Sequence, residues 1–515
     1  MYFSFRIQYA KAIRWKPPID LHSAMFPNGY LNATSYGPCC PQPEGDLYIR
    51  AQDEQCLYLN IFQPIVSANH SAFPVFFYIH GGAHNHGCSS EANPVVFNGT
   101  NMIAHAPTDQ PVIVITIDYR LGVLADMYLE ELIEEDPEWP TAGNYMYLDM
   151  LSALRWVKKN IRDYGGDPNE IRIFGESAGG LSVVDLGATR GSANLYLTAI
   201  SQSGLGSPGS ISSYHSARNA LDYSNSLVKR INCTNEDKRK VLECLRNASF
   251  LSLLKVYTDR YTRPILDNYF FPLYPPLAIL NGTYNNNISL IMGHNDFEQP
   301  ICFEHPNMNF TEALTTIIEA VGSKWAPFVA DYYHLHNCSS DHDANDSRCC
   351  NIVRLIMMDK TFECDIRRIF AAFYTKYGPQ YAANKLFSYH LNCYPTCPAV
   401  SNEGICRHGS ELPFVFGTVS TVTSHQLPNC TWNNQTREFS NDIITQWMNI
   451  ASTGKPLLSW PSYNPAEPKY FHITPDQGFT SEPWMRNCSF YDTIEDEAVM
   501  ETFGKNIYSK IERNI

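Results

Sequence analysis

Ile171-Arg-Ile-Phe-Gly175-Glu-Ser177-Ala-Gly179-Gly180 reads as a β-branched and aromatic strand that runs into a G-x-S-x-G turn and then into a helix beginning near Leu181. Its setting matters more than its five letters. With 29 glycines in the chain, a chance G-x-S-x-G arises in about one chain in ten of this length, and a Gly-rich helix start with an N-cap serine fits the letters equally well. A strand before and a helix after are the context of a nucleophile elbow. The glycines flanking Ser177 are required because a Cβ would clash in so tight a turn, and the turn lifts the hydroxyl clear of the sheet.

Outward from this segment, short apolar runs predict buried strands at Leu57–Phe62, Val75–His80, Val112–Tyr119, Ile171–Phe174, Ala199–Ser201, Leu290–Gly293 and Leu386–His390. Helical periodicity lies between them, at Leu151–Ile161 and at Phe439–Ala451, where Phe439, Ile443, Trp447 and Ile450 share a face and Gly454 with Pro456 ends the helix. Strands alternating with helices imply an α/β protein: a large central, mostly parallel sheet flanked by helices on both faces. Reactive groups then belong beyond the carboxyl ends of strands. No repeat, low-complexity tract or linker divides the chain, so residues 1–515 are expected to form a single domain.

Composition excludes several functions. The formal charge is 38 − 52 = −14, and an acidic surface without a basic run disfavours nucleic acid. The longest apolar runs, near Phe73–Ile79 and Pro111–Ile117, fall short of the ~18–20 residues that cross a bilayer. No transmembrane segment is expected. Sixteen cysteines are too many for an ordinary reduced enzyme, and Cys393-x-x-x-Cys397 and the doublets Cys39/Cys40 and Cys349/Cys350 lack the histidine partners of a zinc site. Disulfides are the expectation. Thirteen N-x-S/T sequons, at Asn32, Asn69, Asn98, Asn232, Asn247, Asn281, Asn287, Asn309, Asn337, Asn345, Asn429, Asn434 and Asn487, exceed chance and also favour a secreted glycoprotein. The opening Met1-Tyr-Phe-Ser-Phe-Arg6 is not a signal peptide, so the N-terminus is expected to be incomplete or processed.

A serine hydroxyl needs a base, an orienting acid and donors for the oxyanion. His80-Gly81-Gly82-Ala83 follows a predicted strand upstream of the elbow, where small residues let backbone N–H groups approach that oxyanion. Further segments resemble the type-B carboxylesterase, or cholinesterase-like, family of the α/β-hydrolase fold: Arg14-Trp-Lys-Pro-Pro18, Tyr36-Gly-Pro-Cys-Cys-Pro-Gln42, Glu54-Gln-Cys-Leu-Tyr-Leu-Asn60, Tyr78-Ile-His-Gly-Gly82, Asp118-Tyr-Arg-Leu-Gly122, Gly165-Gly-Asp-Pro168 and Gln202-Ser-Gly204.

By that resemblance the acid lies in Gly293-His-Asn295-Asp-Phe-Glu298, with Glu298 the choice and Asp296 the runner-up. The base is His408 of Arg407-His408-Gly-Ser-Glu-Leu-Pro-Phe-Val-Phe-Gly417. Ser177, Glu298 and His408 follow the Ser, acid, His order of the fold. The implied oxyanion donors are the N–H groups of Gly82, Ala83 and Ala178. The implied chemistry is hydrolysis of a small-molecule ester through an acyl-serine, with neither metal nor organic cofactor required. The resemblance also implies disulfides Cys40–Cys56, Cys233–Cys244 and Cys364–Cys488. Ten cysteines stay unassigned, among them Cys88 and Cys406, where a bridge would brace the site and a buried thiol is the alternative. Two ion pairs are implied as well, Arg14 with Glu54 and Arg120 with Asp167.

The chain departs from the family at His84-Asn-His-Gly87, where an aromatic is usual and where a more polar gorge wall is expected, and at Asp126 and Gln299. The segment between Cys40 and Cys56 contains no tryptophan to face a quaternary ammonium; Tyr48 is its sole aromatic. Neutral carboxylic esters are therefore the expected substrates. The competing readings are a non-catalytic, neuroligin-like adhesion protein, and cholinesterase or lipase specificity on the same fold. A lipase would need an apolar lid, which no segment identifies.

Overall fold

Ten strands, numbered β1 to β10 in chain order, form one sheet: β1 (Tyr2–Gln8), β2 (Tyr58–Gln63), β3 (Phe73–Ile79), β4 (Ile113–Ile117), β5 (Gly166–Glu176), β6 (Thr198–Gln202), β7 (Ser289–Asn295), β8 (Leu386–Leu391), β9 (Lys469–Thr474) and β10 (Gly478–Pro483). Their spatial order is β1-β2-β4-β3-β5-β6-β7-β8-β9-β10. From β4 to β9 every neighbour is parallel, and the antiparallel pairs lie toward the two ends of the sheet. This computed structural model describes residues 1–21, 33–43, 51–65, 72–91, 95–107, 111–204, 207–258, 262–299, 301–338, 348–393, 406–418, 433–476, 478–484 and 488–503.

All seven strands expected from apolar runs are present, several with longer bounds. β5 begins at Gly166 rather than Ile171 because Phe73 of β3 pairs with Gly166 across a register shift. β1, β9 and β10 were not expected. β1 and β9 mix exposed, half-buried and buried positions and β10 has no buried one, as suits strands toward a sheet's ends, so no continuous apolar run announces them.

Helices cover both faces. On one, α1 (Tyr145–Asn160) packs Leu151, Ala153 and Leu154 into a core with Ile115 and Ile173. The short α2 (Ala178–Asp185) continues directly from the elbow. Further along lie α3 (Phe310–Tyr332), α4 (Arg348–Met358), a π turn at Asp359–Glu363, α5 (Cys364–Tyr377) and α6 (Leu412–Phe416). The last of these, with α7 (Asn434–Thr453), fills the other face, where Phe416 and Trp447 join Phe76 and Phe174. The helix expected at Phe439–Ala451 thus starts earlier, at an Asn433 side chain that accepts from the Thr436 N–H, and stops at Gly454 in the left-handed region. A third, smaller core lies beneath α3 and α4.

Seven disulfides join Cys39–Cys88, Cys40–Cys56, Cys233–Cys244, Cys302–Cys350, Cys338–Cys349, Cys364–Cys488 and Cys393–Cys406. Among the described residues no cysteine is free, and Cys397 and Cys430 lie outside them. Arg14 Nε donates to Glu54 Oε2 at 2.8 Å. The expected Arg120–Asp167 pair is corrected: Arg120 binds Asp149 of α1, Nε to Oδ2 at 2.8 Å and Nη2 to Oδ1 at 2.6 Å, both side chains buried. Topology explains the difference. Arg120 follows the carboxyl end of β4, whereas Asp167 opens β5 at the opposite edge of a parallel sheet.

Candidate active site

Parallel register gathers the site. Ile79 at the end of β3 lies beside Gly175 of β5, Glu176 lies beside Gln202 of β6, and Gln202 lies beside Gly293 of β7. The loops leaving these strands therefore emerge together at the carboxyl edge.

Ser177 occupies the turn between β5 and α2 with φ 58° and ψ −123°, a conformation that side-chain-bearing residues rarely adopt. Close packing enforces it. A Cβ on Gly179 would stand 2.1 Å from the Ile79 carbonyl oxygen, and one on Gly175 would stand 2.5 Å from the Gly179 backbone. The Ser177 N–H donates to the Gln202 carbonyl at 2.9 Å. Gln202 Oε1 in turn accepts from Trp447 Nε1 at 3.0 Å, which ties the elbow to α7.

The structure brings the three residues chosen from the sequence into one hydrogen-bonded chain. Ser177 Oγ is 2.8 Å from His408 Nε2, and His408 Nδ1 is 2.5 Å from Glu298 Oε2. Glu298 is buried and its other oxygen accepts from Ser203 Oγ at 2.5 Å and from the Asn295 N–H at 2.6 Å. Burial alone would raise this carboxyl, but His408 and these hydrogen bonds hold it below the ordinary carboxylate range. Asp296, the runner-up, is bonded instead to His472 Nε2 at 3.1 Å.

Ser203 was not assigned a role from the sequence. It lies one residue past β6, at the same sheet edge as the elbow, and its position beyond a strand is the signal that points to it. Glu411 was also missed. It accepts from Asn295 Nδ2 at 2.6 Å, and burial, then the charge of Glu298, push it up to about 7. Glu176, next to the nucleophile, is raised well above its usual range by burial, and its Oε1 lies 3.4 Å from His408 Nε2. For His408, burial opposes the imidazolium but the surrounding carboxyls outweigh it, so the ring titrates above an ordinary histidine.

The His80 loop abuts the elbow, since a Cβ on Gly81 would stand 2.7 Å from the Glu176 carbonyl oxygen and 2.9 Å from Ser177 Cβ. Gly82 has φ 99° and no room for a side chain, its Cβ position falling 2.0 Å from the His86 carbonyl oxygen. Ala83 and His84 follow with φ 56° and 52°. None of the Gly82, Ala83 and Ala178 N–H groups donates to a described residue, and Ala178 is the first residue of α2, where such a donor has no partner within the helix.

Of the segment His84-Asn-His-Gly87, where a more polar gorge wall was expected, His84 is buried and His86 half-buried. The His84 ring does not make the gorge wall polar: it is 1% exposed, with Nε2 bonded to Ser182 Oγ at 2.7 Å and Nδ1 to the Thr262 carbonyl at 3.3 Å. Burial lowers it to about 4, so it braces the loop as a neutral ring. Asp126 accepts from Tyr257 OH at 2.8 Å. Cys88 and Cys406, at the oxyanion loop and just before His408, are both bridged. Tyr48 lies outside the described residues.

This geometry agrees with what the chain is similar to. The profile of the Carboxylesterase family matches residues 4–491. Para-nitrobenzyl esterase of Bacillus subtilis (strain 168) is 28% identical over 449 residues, covering 84% of this chain and 83% of that protein. Neuroligin-2 of Mus musculus is also 28% identical, over 92% of this chain but 59% of the longer relative. Among solved structures, one of PNB esterase superposes with a TM-score of 0.74 at 25% identity, covering 96% of this chain and 95% of the other. The chain belongs to the carboxylesterase family and is a carboxylic-ester hydrolase of the α/β-hydrolase fold.

Proposed function

We propose that Ser177 is the nucleophile of this hydrolase, His408 its general base and Glu298 the acid that orients the imidazole. The observation that carries the reading is the continuous chain from Ser177 Oγ through both His408 nitrogens to Glu298. His408 Nε2 takes the Ser177 proton as Oγ attacks the ester carbonyl. Glu298, ionised below its usual range, stabilises the imidazolium. The Gly82, Ala83 and Ala178 N–H groups bind the oxyanion, each worth about 2.7–4 kcal/mol of barrier. The imidazolium then protonates the departing alcohol, leaving acyl-Ser177, and the same base activates the water that releases the acid.

An organophosphate should label Ser177 stoichiometrically, and Ser177→Ala should abolish both labelling and turnover of a short-chain aryl ester. Labelling at another residue, or undiminished turnover, refutes the assignment, and a folded wild-type chain with no turnover favours the adhesion reading. The preferred substrates are neutral esters, because the Cys40–Cys56 segment offers no tryptophan face to a cation. A preference for acetylthiocholine over an uncharged thioester of equal acyl length that persists at high salt refutes this.

The chain acts as a single-domain, secreted glycoprotein. Seven disulfides support an oxidising compartment. Among the described residues no helix is long and apolar enough to cross a membrane. The sequon residues Asn232, Asn247, Asn281, Asn287, Asn337 and Asn434 are exposed, as glycan attachment requires.

A further inference from the structure

On the strand that leads to Glu298, but apart from the catalytic chain, three buried side chains converge: His294 of β7, His390 of β8 and Glu363, which closes the π turn. The sheet dictates two of them. His294 and His390 are register partners on adjacent parallel strands, so they leave the same face side by side, with ring centroids 4.2 Å apart. The π turn between α4 and α5 supplies the third, and such widened turns recur at functional sites.

Their polar atoms are arranged as ligands. His294 Nδ1 is 2.9 Å from the Asn295 carbonyl, which fixes the ring orientation and turns Nε2 toward Glu363. That Nε2 lies 3.5 Å, and His390 Nε2 lies 3.4 Å, from the same atom, Glu363 Oε1. Neither Nε2 has a hydrogen-bond partner among the described residues, although the two residues are 1% and 5% exposed. The other carboxylate oxygen, Oε2, accepts from Trp484 Nε1, so Oε1 faces the histidines.

Two imidazole nitrogens thus converge on one buried carboxylate oxygen at separations longer than a well-formed hydrogen bond, an arrangement that one cation bound to all three atoms satisfies. A tetrahedral ion with bonds of about 2.0–2.1 Å sets its ligand atoms about 3.3–3.4 Å apart. The two histidine–carboxylate separations match that edge, where a direct hydrogen bond would draw the atoms to about 2.9 Å. All three donor atoms lie within 4.8 Å of one another. Two imidazoles and one carboxylate suit zinc rather than the oxygen cages of Ca²⁺ or Mg²⁺. A cavity of about 400 Å³, lined by His294, Glu363, His390, Tyr470 and Trp484, has room for a water as fourth ligand. Ser177, Glu298 and His408 do not line it.

We propose that His294, His390 and Glu363 bind one divalent ion of the zinc type, clamping β7, β8 and the α4–α5 junction together. The ion acts on the triad through the residue next to His294: Asn295 donates its N–H to Glu298 and its side chain to Glu411. Its part is positional, fixing the strand end from which the acid loop departs.

The test uses the full glycosylated chain, stripped with a chelator, dialysed and titrated with ZnCl₂, with bound metal measured by plasma mass spectrometry after gel filtration. One retained equivalent is expected, and Co²⁺ in its place should give the visible bands of a four- or five-coordinate site. His294→Ala and Glu363→Gln should each weaken binding at least about tenfold, while an unchanged circular dichroism spectrum and elution volume report an intact fold. Glu363→Gln keeps an acceptor for Trp484 and carries the test where His294→Ala fails to fold. Replacing the exposed pair His334 and His336, whose rings lie 5.6 Å apart, by glutamine should leave the equivalent in place. No stoichiometric zinc in the wild type, zinc retained by both ligand variants, or zinc lost with His334 and His336 overturns the proposal.

Discussion

The carboxyl edge of the sheet and the helical lobe of α3 and α4 are secured by different means. At the edge, Gly175 and Gly179 leave no space for a methyl group, and the Ser177 N–H is bonded to the neighbouring strand. In the lobe, a small core around Ile317, Val353 and Ile356 is stapled by Cys302–Cys350 and Cys338–Cys349, and Phe328 and Tyr332 are left 61% and 47% exposed. Nucleophilic chemistry needs atoms placed to a few tenths of an ångström, which close backbone packing provides. A small lobe needs only to stay folded, and covalent cross-links suffice where apolar burial is scarce.

The sharpest contrast pairs Ser177→Ala with removal of the Cys302–Cys350 bridge. The first should lower kcat about 10⁶-fold and leave the melting temperature nearly unchanged. The second should leave kcat within a few-fold but cost about 2–4 kcal/mol in denaturant unfolding. Equal losses of activity would erase the distinction between the regions.

Next in size is Glu298→Gln, expected to lower kcat about 10⁴-fold. His408 must be neutral to accept a proton, so activity falls as pH drops through its pKa. The carboxylate raises that pKa, so Glu298→Gln should move the acid limb of kcat/KM to lower pH. Glu176→Gln should also move the limb to lower pH, because the charge of Glu176 raises His408 as well. An unmoved limb in that variant would show Glu176 neutral.

The smallest effects come from one substitution made in both regions. Gly179→Ala forces a contact 2.1 Å from a backbone oxygen and should cost about 3 kcal/mol. Gly322→Ala in α3 meets nothing within 4 Å, so only the backbone preference at φ 81° is lost, about 1 kcal/mol. Similar values at both sites would mean that the elbow relaxes more than its packing implies.

Legibility in the sequence follows the same division. The elbow announces itself because its glycines, serine and preceding strand are contiguous, and Glu298 and His408 carry local segments of their own. Ser203 is invisible until β6 and β7 pair, which carries its hydroxyl to Glu298. Arg120 was matched with the wrong aspartate because edge of sheet is a property of topology rather than of spacing. The His294, His390 and Glu363 cluster has no motif, since its members come from two strands and a helix junction far apart in the chain. The lobe gave no strand or helix expectation at all, and its cysteine partners could not be read from spacing.

Each cysteine doublet is split between two partners: Cys39 with Cys88 and Cys40 with Cys56, Cys350 with Cys302 and Cys349 with Cys338. Adjacent thiols compete for the same targets, and exchange between them is intramolecular. During oxidative folding each doublet therefore has a swapped isomer of identical mass, distinguished only when the oxyanion loop or the lobe core has formed around it. A host without disulfide isomerase activity should accumulate these isomers, and non-reducing peptide maps, rather than intact mass or yield, identify the batch that holds the native connectivity.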